Sequence, residues 1–86
     1  MLEIYEITEN GTYGPFIHSG GRLVASAVGN FGGGVLSVQV DHGVGYTEEA
    51  AWTADESGVV DAATGSRIQF VLAGATSPNL NACGRS

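Results

Sequence analysis

Lysine is absent from this chain, and Arg22, Arg67 and Arg85 are its only permanent cations against nine carboxylates, for a net charge of −6. A surface of that sign repels a phosphate backbone and argues against nucleic acid as a partner. Cysteine occurs once, at Cys83, so no internal disulfide can form, and no Cys or His pairs stand at structural-zinc spacing. Long apolar runs are also missing. The longest, "RLVASAV", is too short and too interrupted to span a bilayer, and "MLEIYEITENG" carries acids where a cleavable signal peptide has basic residues. The expectation is a soluble protein made in the cytoplasm, with no membrane segment and no cleavable signal.

Length sets a further bound. A single domain over residues 1–86 buries only roughly 60 to 65% of the surface its unfolded chain exposes. With neither disulfide nor zinc to staple it, self-association or docking onto a larger assembly is expected to complete its stability.

What is present is alternation. The helical template of apolar residues at i, i+3, i+4 and i+7 is hard to satisfy, whereas β-branched residues recur between turn signals. "LEIYEIT" reads as a first strand closed by Asn10-Gly11. In "RLVASAVG", Leu23, Ala25 and Ala27 share one face and Val24, Ser26 and Val28 the other. "VLSVQV" sets Leu36, Val38 and Val40 against Ser37 and Gln39, and "SRIQFVLAG" sets Ile68, Phe70 and Leu72 against Arg67, Gln69 and Val71. "ATSPNLNAC" supplies a Pro-marked turn and a final strand. Between Asp41 and Gly65 the pattern loosens to one short strand near Trp52, and "TEEAAWTADE" carries good helix formers after a Thr47 cap, enough for a helical turn. Six or so short strands predict an all-β chain, a small antiparallel β-sandwich or jelly-roll-like barrel.

Gly32, Gly33 and Gly34 invite a phosphate-loop reading, but such a loop leads into a helix and uses a lysine. A strand follows these glycines, so they are read as a hairpin turn or bulge in which glycine supplies positive φ and close backbone approach. No nucleotide or other cofactor is expected.

The succession "GGRLVASAVGNFGGGVLSVQVDHG", then Trp52, then "SRIQFVLAGATSPNL" resembles small β-sandwich virion proteins of tailed bacteriophages over roughly residues 20 to 83. In those sequences a glycine pair precedes a strand, a Phe-Gly-Gly-Gly type hairpin leads to a second strand carrying a glutamine, and an Arg-led strand ends in a Gly-Ala-Thr turn. The resemblance implies a structural part of a phage particle on the capsid exterior. A decoration (cement) protein bound to the major capsid protein, a head-fibre base or a tail component would each fit. Symmetric, multivalent attachment multiplies weak contacts in such assemblies, and a homo-oligomer, most simply a homotrimer, is expected.

Chemistry finds little purchase. Asp41, His42, Glu48, Glu49, Asp55, Glu56 and Asp61 crowd one region, yet Ser57 or Thr47 lies in no nucleophile elbow, so no catalytic set is assigned. Calcium would suit the carboxylates, but the EF-hand spacing is missing, and His18, His42 and Cys83 lack paired zinc spacing. No metal site is assigned. His18, in a Pro-led loop, is read as a surface or trimer-axis residue, and Cys83 as a small half-buried one. Phe70 belongs to the core. Phe16, Phe31, Tyr46 and Trp52, with Arg22 and Arg67, are the candidate interface residues, because turn-borne aromatics and scarce arginines suit directional contact with a partner. Tyr46 or Trp52 beside carboxylates would equally suit a carbohydrate-binding module, the alternative function.

Overall fold

The structure, a computed structural model, describes residues 1–86 and contains no helix. Eight strands follow in order: β1 (Leu2–Ile7), β2 (Gly11–Ile17), β3 (Leu23–Asn30), β4 (Val35–Asp41), β5 (Tyr46–Trp52), β6 (Glu56–Val60), β7 (Arg67–Ala73) and β8 (Asn79–Arg85). They form two four-stranded antiparallel sheets, ordered β1-β8-β3-β6 and β2-β7-β4-β5. First pairs with last, second with seventh, third with sixth and fourth with fifth, as in one long hairpin rolled into a sandwich. That is the strand order of a jelly roll.

The core follows from alternation on the central strands. Leu36, Val38 and Val40 of β4 and Ile68, Phe70 and Leu72 of β7 are all buried, facing Leu23, Ala25 and Ala27 of β3 and Leu80 and Ala82 of β8. One sheet thus offers bulky side chains and the other mainly small ones, which lets the layers interdigitate. The rings of Phe16 and Phe70 lie 6.2 Å apart and Tyr5 closes over both, at 6.2 and 6.0 Å. Burial, then the neighbouring Glu3 carboxylate, raises the Tyr5 phenol above its ordinary pKa.

Several expectations are corrected. The stretch "TEEAAWTADE" is not a helical turn: it spans β5, a tight turn and the start of β6. β4 would otherwise present unpaired N–H and C=O groups along one side, and satisfying them outweighs the helix propensity of Glu48 to Ala51. The Pro-led segment is β2, not a loop. It escapes the alternation test because its register with β7 slips between Tyr13 and Phe16, and Pro15 is tolerated because β2 is an edge strand. Gly32 to Gly34 form no hairpin, since β3 and β4 lie in different sheets. Gly32 and Gly33 take φ of +60° and +77°, Gly34 donates to the Phe31 carbonyl at 2.9 Å, and the turn carries the chain from one sheet to the other.

Candidate interaction surface

The loops after β2, β4 and β6 gather at one end of the sandwich. Cross-strand register aligns Ile17, Arg67, Asp41 and Tyr46 in a single row there. Two backbone bonds, His18 N–H to Ser66 O at 2.9 Å and Gly65 N–H to His18 O at 2.8 Å, clip the first loop to the third. All three arginines belong to this end: Arg22 immediately precedes β3, Arg67 opens β7 and Arg85 closes β8, and all are exposed. A shallow polar depression of about 330 Å³, lined by Asp41, Gly43, Thr64, Gly65, Ser66 and Arg67, opens between the loops. Asp41 is occupied in shaping its own loop, accepting from the N–H groups of Gly43 at 2.8 Å and Gly45 at 3.3 Å. Arg67 therefore stands beside an acid without forming an ion pair, the one ion pair in the structure being His42 with Glu49.

His18 is not at the surface. It is 1% exposed, walled in by the clipped loops, and its Nε2–H donates to the Gly21 carbonyl at 2.9 Å while Nδ1 has no partner. Phe16 and Phe31 likewise leave the candidate interface, since both are core residues at 6% and 4% exposure. The β2 bulge turns Phe16 inward, and the sharp Gly32-Gly33 turn folds Phe31 over the end of the core. Trp52 is half-buried at the far end of β5 from Tyr46, packed against the core, and a Cβ added to Gly58 would stand 4.0 Å from its Cζ2. Tyr46 stays exposed beside Asp41. Of the six candidates the structure thus groups Arg22, Arg67 and Tyr46 at one end, buries Phe16 and Phe31 in the core and leaves Trp52 half-buried at the other end of β5.

The acids are dispersed. His42 Nε2 meets a Glu49 carboxylate oxygen at 2.6 Å on the surface, Asp55 accepts from Gly29 N–H at 2.9 Å, and Glu48 accepts from the Ser37 hydroxyl at 2.7 Å. Ser57 lies on β6, in the sheet opposite β4 and His42. No three His, Cys, Asp or Glu side chains converge as a metal site.

The outer faces of the sheets differ in character. On β2-β7-β4-β5 the face is polar, with Gln69 Nε2–H donating to Gln39 Oε1 at 2.8 Å between Arg67 and Glu48. On β1-β8-β3-β6 exposed apolar side chains stand among fewer polar ones. One register row runs Leu2, Arg85, Val24, Val59, and the next Ile4, Cys83, Ser26, Ser57. A third row holds Glu6, Asn81 and Val28. Leu2, Ile4, Val28 and Val59 are 57 to 61% exposed. The sequence signal for this face was the apolar character of both sides of "RLVASAVG", where a sandwich strand facing water on one side carries polar residues. No protein-family model matches this chain, and neither a curated protein nor a solved structure is significantly similar to it.

Proposed function

We propose that this protein is a structural component of a tailed-phage particle, a small decoration protein that attaches as a homo-oligomer to the outside of the head. The observation that carries the reading is the division of the surface. One end holds every arginine of a strongly acidic, lysine-free chain, and the outer face of one sheet leaves Leu2, Ile4, Val28 and Val59 uncovered among a few polar residues. An exposed apolar patch of that extent marks a contact with protein. Arg22 and Arg67 are placed to make bidentate contacts with carboxylates of the major capsid protein. The jelly roll is a recurrent fold of viral capsid proteins, which supports the reading by analogy alone, and the stretches that carry the phage resemblance fall on β3 and β4, on Trp52 at the end of β5, and on β7 with the turn into β8. Head-fibre and tail positions use the same surfaces.

Mass spectrometry of purified particles tests this. The protein should be present at a fixed ratio to the major capsid protein, and absence from particles contradicts the proposal.

A second reading, carbohydrate binding, draws on the hydrogen-bonded Gln39–Gln69 pair flanked by Arg67, Glu48 and the exposed Tyr46. Planar amides beside an aromatic ring suit sugar hydroxyls. Retention on polysaccharide gels, lost in Gln39→Ala and Tyr46→Ala proteins, would favour it over the first.

A further inference from the structure

We propose that the apolar outer face of β1-β8-β3-β6 is a contact between two copies of this chain, related by a two-fold axis lying across the strands at the level of Ile4 and Cys83. This goes beyond the reading above by giving the homo-oligomer a surface and an order, two in place of the three expected from the sequence.

Self-complementarity carries the argument. The three register rows of this face contain only two charged residues, Glu6 and Arg85, of opposite sign and at opposite ends of the strand direction. Within one subunit four residues of strand rise and one strand spacing separate them, about 14 Å, too far to pair, and neither has an ion-pair partner in its own chain. A two-fold axis across the strands exchanges the first and third rows. Arg85 of one copy then falls over Asn81 of the other and beside its Glu6, and the pairing occurs twice.

The same rotation sets Val24 over Val28 and Leu2 over Glu6 of the second copy, where the Glu6 carboxylate reaches sideways to Arg85, and it superposes the middle row of uncharged side chains on itself. A two-fold along the strands does worse: it sets Arg85 over Val24 and brings Glu6 against Asp55 of the other copy, a like charge. Isologous contacts of this kind are the commonest way in which soluble proteins close an oligomer.

Area is sufficient for a reversible dimer. Four strands by three rows span roughly 20 by 20 Å, about 400 Å² in projection per copy. Corrugated by exposed Leu2, Ile4, Val28 and Val59, two such faces together bury about 800 to 1,000 Å², the size of a weak, reversible interface. Asp55 lies at the rim with its carboxylate already held by Gly29 N–H.

Sedimentation equilibrium on wild type, Glu6→Arg, Arg85→Glu and the double swap decides the matter, with circular dichroism confirming that each variant is folded. Both positions are exposed, so the fold should tolerate the changes. Wild type should dimerise in the micromolar to millimolar range. Either single reversal should weaken the dimer by about tenfold or more, since like charges then meet twice, and the double swap should restore it. Val28→Lys should abolish it. A wild type that stays monomeric or forms trimers, single reversals without effect, or a double swap no better than the singles would each overturn the proposal. The measurement needs no phage particle, so its failure is distinct from failure of the virion reading.

Discussion

A Cβ added to Gly84 would stand 2.5 Å from Cζ of Phe16, so the bare backbone of β8 is the floor on which that ring lies. The facing sheet sends its largest side chains toward this place, and Phe16 meets Tyr5 and Phe70 there, the three ring centroids 6.0 to 6.2 Å from one another. Gly84→Ala should therefore destabilise the fold by overpacking, by about 1–3 kcal/mol, read as a lower urea midpoint. Combined with Phe16→Leu, the cost should be non-additive by about 0.5 kcal/mol or more, because the two sites share one space. Additive costs would mean that the ring has room to move.

Gly32 and Gly33 are predicted to differ although both take positive φ. At Gly33 nothing lies near an added Cβ, whereas at Gly32 it would stand 2.4 Å from the Thr76 carbonyl oxygen, on the turn whose N–H donates to Gly32 O at 2.9 Å. Gly33→Ala should cost about 1 kcal/mol for conformation alone. Gly32→Ala should cost more, because backbone must shift as well. Equal thermal stabilities for the two variants would contradict the close approach.

Glu49 should titrate below the ordinary carboxylate range. The hydrogen bond from His42 is the main cause, and that from the Thr47 hydroxyl, at 3.0 Å, the second. Its folded-state pKa is depressed, so the stability it contributes is present above the unfolded pKa and is lost as pH falls through the folded value. Carbon-detected NMR titration should show the Glu49 midpoint rising in His42→Ala and, less, in Thr47→Ala. An unchanged midpoint in both would remove the pair.

The legibility of this fold in its sequence follows strand position. β3, β4 and β7 are inner strands with one side buried, so Leu23, Leu36, Ile68 and their neighbours at i+2 wrote their burial into the alternation. β2 and β5 are edge strands. They bury little, and each meets its partner across a register shift, so neither kept a period of two.

Phe16 and Phe31 misled for a related reason. An aromatic beside turn glycines reads as exposed, but bulge and turn geometry fold both rings inward. His18 was hidden because its burial comes from Ser66 and Gly65, distant in sequence, which clip its loop down. Arg22, Arg67 and Tyr46 were recognisable one by one. Their common end is a property of cross-strand register, in which Asp41 stands between Arg67 and Tyr46.

Electron microscopy of particles made with and without the gene for this protein decides whether it decorates the head. A density the size of the sandwich, with extents of 34 × 23 × 16 Å, should stand at symmetry-related places on the outside of the head. Its arginine-bearing end should be turned to the shell, and the density should be missing from particles made without the gene. Identical reconstructions from the two preparations would contradict the account.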